Sequence, residues 1–163
     1  MKLRDYQRAA IDGIYTYFEK HTGNPLVVVP TGGGKSVIAA QFIREVCETW
    51  KDERVLVVTH VRELISQNHA ALLRCWPDAP AGVNSAGLGR RDTRDRILFA
   101  GVQSIYKYAA SLGSIDIIIV DEAHLIPPKG VGMYQQLLAS MREINPKVRM
   151  VGLTATPFRT DTG

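Results

Sequence analysis

A glycine-rich stretch near the amino terminus could bind a triphosphate. It reads Val29-Pro30-Thr31-Gly32-Gly33-Gly34-Lys35-Ser36 and lies between a short apolar segment and an amphipathic one. Successive glycines allow a tight turn whose N–H groups point inward, and the helix that follows presents its positive end to the same charge. Lys35 can reach the β- and γ-phosphates, and the Ser36 hydroxyl can ligate Mg²⁺. The predicted phosphate-binding residues are Thr31, Gly32, Gly33, Gly34, Lys35 and Ser36.

This loop departs from the strict phosphate-loop pattern at one position. The pattern has a glycine five residues before Gly34, where this sequence has Val29. Taken alone, the loop could also be a flexible glycine turn that happens to precede a lysine. Its position between a predicted strand and a predicted helix favours the phosphate-binding interpretation.

Two adjacent carboxylates follow an apolar run later in the chain. Asp121 and Glu122 come directly after Ile115–Val120. ATP hydrolysis needs one carboxylate to hold Mg²⁺, directly or through water, and a base to orient the attacking water. Asp121 suits the first role and Glu122 the second. Paired acids are also common in solvated loops, so this prediction depends on the phosphate loop lying at the same edge of the fold.

The elements that must position these residues alternate regularly along the chain. Short apolar runs separated by amphipathic segments predict a parallel sheet covered by helices on both faces, a single three-layer α/β domain over residues 1–163. The predicted strands are Leu26–Val29, Val55–Val58, Ile97–Ala100, Ile115–Val120 and Val148–Leu153. The predicted helices are Asp5–Phe18, Ser36–Glu48, Glu63–Trp76, Ser104–Ala110 and Met133–Ile144, with a loop over Pro77–Gly89. Polar clusters follow each strand, and ligands of parallel sheets bind beyond the carboxyl ends of the strands.

Composition excludes some classes of protein and favours others. The chain has 163 residues, of which 45% are hydrophobic and 22% charged, which is typical of a globular domain. A net charge of +4 suits a partner with phosphates, although many ordinary domains carry as much. No apolar run has the length of a membrane span, and the amino terminus does not resemble a signal peptide. Cys47 and Cys75 lack metal-type spacing, so we expect two reduced cysteines in a cytoplasmic protein.

The chain resembles the first RecA-like domain of superfamily 2 helicases, the DEAD/DEAH-box-like group. The stretches that carry the resemblance occur in the family's order and span nearly the whole chain; they are Leu3–Gln7, Pro30–Ser36, Thr59–Leu64, Gly101–Ser104, Asp121–His124 and Gly152–Pro157. Thr59–Leu64 and the segment from Gly152 are similar to those of RadD-type DNA-repair helicases and of type I and type III restriction enzyme motors. The resemblance implies a RecA-like P-loop fold, ATP and Mg²⁺ as cofactors and nucleic acid as a partner.

The resemblance also implies roles for individual residues. Arg4 and Gln7 would recognise adenine, with Tyr6 beside them. Lys35, Asp121, Glu122 and His124 would form the catalytic group, with Ser36 and Asp121 at the metal. His124 would link the nucleotide to the coupling residues Thr154 and Thr156. The residues implied to face the nucleic-acid backbone are Thr59, His60, Arg62, Gln103 and Ser104.

Two sequence features favour DNA over RNA as the partner. The acidic box reads Asp-Glu-Ala-His, and Thr59–Leu64 lacks the Pro-Thr-Arg-Glu-Leu form of the RNA-directed DEAD-box group. The arginine cluster Arg90, Arg91, Arg94 and Arg96 is interleaved with aspartates, which indicates a solvated loop and strand start more than a nucleic-acid groove.

The resemblance further implies a second RecA-like domain, which closes the ATP cleft and supplies arginine fingers. Without such fingers, worth about 10³–10⁵ in rate, we expect this chain to bind nucleotide but to hydrolyse ATP poorly. Alternatives to a DNA helicase or translocase are the motor of a restriction endonuclease, an RNA helicase, or a non-catalytic nucleic-acid-binding module. The complete set of Lys35, Ser36, Asp121 and Glu122 argues against the last.

Overall fold

The structure, a computed structural model, describes residues 2–29, 34–122 and 128–155, with the backbone alone for residues 128–130. Its strands are Leu26–Val28 (β1), Val55–Thr59 (β2), Ala81–Ser85 (β3), Arg90–Arg91 (β4), Ile97–Gly101 (β5), Ile117–Asp121 (β6) and Arg149–Thr154 (β7). Its α-helices are Asp5–Lys20 (α1), Lys35–Thr49 (α2), Arg62–Cys75 (α3), Val102–Ile105 (α4) and Pro128–Ile144 (α5). Short 3₁₀ turns cover Ala86–Leu88 and Ala109–Leu112.

The strands form one seven-stranded sheet in the order β1-β7-β6-β2-β5-β3-β4. Every neighbouring pair is parallel except β3 and β4, which are antiparallel at one edge. The predicted α/β fold with a mainly parallel sheet is therefore confirmed.

The sheet has a separate apolar core on each face, because successive side chains of a strand point to opposite sides. Along β2, Val55 and Val57 face one core while Leu56 and Val58 face the other. Helices α1, α2 and α3 cover the first face, and α4 and α5 cover the second. All residues of β2, β5 and β6 are buried, which explains why these strands have uninterrupted apolar runs in the sequence.

The predicted loop over Pro77–Gly89 is wrong in part, because it contains β3. This strand reads Ala-Gly-Val-Asn-Ser, a composition with low strand propensity, yet its last four residues are buried. Pairing with β5 and bonds to one aspartate stabilise it: the Val83 N–H donates to Asp92 Oδ2 (3.0 Å), and Asn84 Nδ2 donates to the Asp92 carbonyl (3.0 Å). The helix predicted over Ser104–Ala110 is also wrong, since α4 ends at Ile105 and a 3₁₀ turn follows at Ala109.

One member of the arginine cluster has an internal role. Arg96 Nε donates to the Glu53 carbonyl (2.9 Å), and its Nη2 donates to the carbonyls of Cys47 (3.0 Å) and Trp50 (2.6 Å). These carbonyls lie at and beyond the end of α2, where the last turn of a helix lacks partners. Arg96 thus lies directly before β5, in agreement with the predicted strand start, and its donors bind the main chain.

Within residues 2–29, 34–122 and 128–155, no helix combines the length and apolarity needed to cross a membrane. Both cysteines are buried and unpaired in the structure.

Candidate functional site

Because the strands are parallel, segments that are distant in sequence come together at the carboxyl ends of the strands. The register pairs Val28 with Thr154, Asp121 with Leu153, and Thr59 with Gly101. Across the sheet, the carboxyl ends of the strands therefore carry the last residue of the predicted phosphate loop, the β7 threonine, the acidic pair and the segments after β2 and β5.

Helix α2 begins directly after a glycine in the left-handed conformation. Gly34 has φ +78°, a value that favours glycine, and α2 starts at Lys35 with no acidic residue in its first turn. The first N–H groups of α2 are thus placed as a positive end that suits phosphate. The side chain of Gln7 packs against Gly34 in the space that a Cβ would need.

The Lys35 ammonium lies between the two acidic side chains. Its Nζ is 2.9 Å from Asp121 Oδ1, and it also forms an ion pair with Glu122 Oε1. Asp121 is only 2% exposed. Glu122 has φ 55°, so the chain turns immediately after β6 in a conformation that is uncommon for a residue with a side chain. Burial, followed by the charge of Asp121, raises the pKa of Tyr134 on α5.

A buried amide joins this group to the start of α2. Asn68 of α3 donates from Nδ2 to Asp121 Oδ2 (2.7 Å), and its Oδ1 accepts from Ser36 Oγ (3.3 Å). Asn68 is 7% exposed. It is not among the residues expected from the sequence, although one signal pointed to it: Asn68 follows the inward-facing Ile65 by three residues, on the apolar side of the helix.

These residues fit a magnesium–nucleotide complex in their chemistry. The Ser36 hydroxyl and the Asp121 carboxylate are oxygen donors of the type that Mg²⁺ prefers, and Asn68 holds them to one another. Among the residues that the structure describes, no cluster of three or more His, Cys, Asp or Glu side chains could hold a metal alone. Protein magnesium sites commonly take their remaining ligands from water and substrate phosphate.

The residues implied for adenine lie where α1 begins. Gln7 is 6% exposed, and its Oε1 accepts from the Arg4 backbone N–H (2.9 Å). Arg4 itself is exposed and Tyr6 is 42% exposed. Gln7 thus contacts both the start of α1 and Gly34, the last glycine of the predicted phosphate loop.

Four of the five residues implied to face nucleic acid line one surface cavity of about 240 Å³. They are His60, Arg62, Gln103 and Ser104. Gln103 Nε2 donates to the His60 carbonyl (3.2 Å), which connects the segments after β5 and β2. The fifth residue, Thr59, is 1% exposed, and its Oγ1 accepts from the Val61 N–H (3.2 Å), so it lies beneath this surface.

The same cavity includes residues that were not expected from the sequence. Ser85, Ala86 and Gly87, at and just after the end of β3, complete its wall. The Ala86 N–H donates to Ser104 Oγ (3.0 Å), and a Cβ on Gly87 would come within 2.7 Å of Arg62 Cδ. The absence of a side chain at Gly87 therefore leaves room for Arg62. The glycines at 87 and 89 marked a turn in the sequence, but nothing there placed the turn beside Arg62.

Of the remaining site residues that the resemblance implies, the structure describes some and not others. Thr154 is fully buried at the end of β7, and its carbonyl accepts from the Val29 N–H (2.9 Å). The residues that lie outside the described part of the chain are Thr31, Gly32, Gly33, His124 and Thr156.

A second cavity, of about 730 Å³, lies at the other end of the strands, away from the candidate site. Its walls include Phe18, Phe42, Trp50, Glu53 and Arg149, near the amino ends of the strands. None of the predicted site residues lines it.

Comparisons with known proteins agree over nearly the whole chain. The sequence profile of the family described as "Type III restriction enzyme, res subunit" matches residues 1–159. The chain is 30% identical over 175 residues to the DEAD-box ATP-dependent DNA helicase Fancm of Drosophila melanogaster, covering 98% of this chain and 11% of that protein. It is 29% identical over 162 residues to the DNA 3'-5' translocase XPB2 of Sulfurisphaera tokodaii, covering 99% and 32% respectively.

A solved structure has the same fold. The SWI2/SNF2 ATPase core of Sulfolobus solfataricus, determined in complex with double-stranded DNA, superposes with a TM-score of 0.72 at 16% identity and covers 96% of this chain and 32% of that one. The chain thus spans about a third or less of the length of these helicase and translocase relatives.

Proposed function

Because the chain belongs to the family of the type III restriction enzyme res subunit and has the RecA-like fold of superfamily 2 helicases, we propose that it is the ATP-binding motor domain of a DNA helicase or translocase. The observation that carries the proposal is the contact of Lys35 with Asp121 and Glu122 at the positive end of α2. A lysine and two carboxylates from segments far apart in sequence meet directly after the glycine stretch that we propose to bind phosphate.

We assign the nucleotide-binding roles as follows. Lys35 would contact the β- and γ-phosphates, and the backbone N–H groups of residues 31–34 would bind the phosphates. Ser36 and Asp121 would hold Mg²⁺, which would neutralise charge on the phosphates. Gln7 and Arg4 contact adenine.

We assign hydrolysis to Glu122, which orients the attacking water and accepts its proton. In the structure the Glu122 carboxylate is ion-paired with Lys35, which places it beside the first residue of α2. His124, Thr154 and Thr156 transmit the state of the nucleotide to the rest of the motor.

The partner that we propose is DNA, bound through its backbone. The 240 Å³ cavity combines the Arg62 guanidinium, the Gln103 amide and the Ser104 hydroxyl, groups that contact phosphate and sugar without reading sequence. The relatives named for DNA helicase and DNA translocase activity support DNA over RNA. We place the protein in the cytoplasm, which the two unpaired cysteines support.

The family description favours a second candidate function, the motor of a restriction endonuclease. The same residues would then drive translocation toward a nuclease elsewhere in the protein. ATP-dependent cleavage of circular DNA by the full protein would favour this candidate, and translocation without cleavage would favour the first.

Calorimetry of Mg²⁺–ADP binding tests the nucleotide site. Lys35→Ala should weaken binding at least about tenfold, because a charge-assisted contact to phosphate contributes about 1.5–3 kcal/mol. Lys20→Ala, at the exposed end of α1, is the matched control and should bind as wild type does. Equal affinity in wild type and Lys35→Ala would refute the assignment.

A further inference from the structure

Asn68 is a polar residue on the apolar face of α3. Its inward-facing neighbours on the helix are Ile65, Ala71 and Leu72, and it is 7% exposed. A buried amide costs about 1–3 kcal/mol unless its hydrogen bonds are made, so an aliphatic residue would serve packing at least as well. The two bonds that Asn68 makes, to Ser36 and to Asp121, are therefore what distinguish it from its neighbours.

The chemistry of Asp121 determines how the amide is oriented. An ionised carboxylate only accepts hydrogen bonds, so the Asn68 group that faces Asp121 Oδ2 is the NH₂ group. Asn68 Oδ1 then faces Ser36 Oγ, and since an amide oxygen only accepts, the Ser36 hydroxyl must be the donor.

This arrangement prepares both side chains for a cation. The Ser36 hydrogen is directed at Asn68, so the oxygen lone pairs are directed away from it. Asp121 Oδ2 is held by Asn68, so Oδ1 remains on the Lys35 side. One amide thus sets the orientation of two oxygen ligands that come from α2 and β6.

We propose that Asn68 is a positioning residue for magnesium, which holds Ser36 and Asp121 in the orientation that binds the metal of the Mg²⁺–nucleotide complex. The proposal rests on the proposed function, since it assigns the metal to the same site. It also gives α3 a specific role, because the helix that begins at Arg62, on the nucleic-acid surface, carries the residue that organises the metal ligands about two turns later.

The test separates binding of metal from binding of nucleotide. Calorimetry measures ADP binding to wild type, Asn68→Ala and Asn68→Leu, in EDTA and over a series of Mg²⁺ concentrations. Loss of a partner that orients metal ligands typically weakens metal affinity about 10–100-fold. We expect a loss of this size in the Mg²⁺ dependence of both variants, with ADP affinity in EDTA unchanged. Asn68→Leu retains the branched shape and the number of heavy side-chain atoms, so a role in packing alone predicts nearly wild-type behaviour for it.

Asn84→Ala is the matched control. Asn84 is 5% exposed and also donates from Nδ2, to the Asp92 carbonyl, away from α2 and β6. Its removal should leave the Mg²⁺ dependence at the wild-type value. If Asn68→Ala and Asn68→Leu also retained that value, the inference would be refuted while the proposed function stood. Absence of ADP binding by wild type would instead remove the proposed function.

A measurement on the unaltered chain covers the case in which the variants do not fold. In ¹⁵N-labelled wild type bound to ADP, addition of Mg²⁺ should shift the side-chain amide signals of Asn68 and leave those of Asn84 in place. An Asn68 amide that does not respond to Mg²⁺ would overturn the inference.

Discussion

Glu122 combines an unusual backbone conformation with a proposed catalytic role. A left-handed conformation costs about 1–2 kcal/mol for a residue with a side chain, and such strain is often retained at functional sites. The turn at Glu122 directs its carboxylate back to Lys35, beside the last residue of β6. The conformation is thus consistent with a residue placed for chemistry.

A neutral amide at this position separates binding from chemistry. We expect Glu122→Gln to bind Mg²⁺–ATP at least as well as wild type, because Lys35 loses one competing carboxylate. Turnover in the full motor should fall about 10²–10⁴-fold, the usual contribution of a general base. Single-turnover hydrolysis measures this loss, and Glu143→Gln, at an exposed position of α5, is the control. Normal turnover in Glu122→Gln would exclude Glu122 as the base.

Among the helices and strands, α3 connects two parts of the proposed motor. Its first residue, Arg62, lines the 240 Å³ cavity, and its middle residue, Asn68, contacts Ser36 and Asp121. Arg74 lies in the last turn of the same helix, about 18 Å from Arg62 at 1.5 Å per residue. The helix therefore offers two exposed arginines, only one of which is at the proposed DNA surface.

This pair tests the proposed DNA surface. Arg62→Ala should weaken binding of single-stranded DNA and reduce the slope of log K against log salt by about 0.7, the value for one phosphate contact. Arg74→Ala carries the same loss of charge and should leave that slope unchanged. Fluorescence anisotropy over a range of salt concentrations measures both. Equal effects of the two variants would mean that net charge, and not this cavity, determines binding.

Across the molecule as a whole, two arginines bind main-chain carbonyls at the amino ends of the strands, on the side of the sheet opposite the candidate site. Arg96 binds carbonyls at the end of α2 and before β2. Arg54 Nη2 donates to the carbonyls of Thr93 (3.1 Å) and Asp95 (2.9 Å), and Arg54 Nη1 donates to that of Leu112. Burial lowers the pKa of Arg54 most, with a further contribution from the charge of Arg94. These guanidinium groups therefore stabilise the segments that connect helices and strands.

Stability measurements should distinguish Arg96 from the exposed members of its cluster. Arg96→Ala should lower the free energy of unfolding by about 2–4 kcal/mol, because three carbonyls lose a charged donor. Arg91→Ala, in exposed β4, should change it by less than about 0.5 kcal/mol. Urea denaturation monitored by circular dichroism compares the two. A small effect of Arg96→Ala would show that water replaces the lost donors without cost.

Features that depend on local pattern could be predicted from the order of the amino acids alone. Apolar runs such as Ile115–Val120 predicted the buried parallel strands, and the two acids after that run were predicted to lie at a strand end. Strand burial and strand termination can be predicted in this way because both depend on a few consecutive residues. The glycine loop before Lys35 predicted the start of α2 for the same reason.

Features that depend on partners distant in sequence became visible in the folded chain. Polar β3 is a strand because β5 pairs with it, Thr59 lies beneath the surface, and Arg96 binds the main chain. Asn68 lies between Ser36 and Asp121, two residues that are far from each other along the chain. Hydrogen bonds of this kind depend on the order of the strands and the packing of α3, which no local pattern specifies.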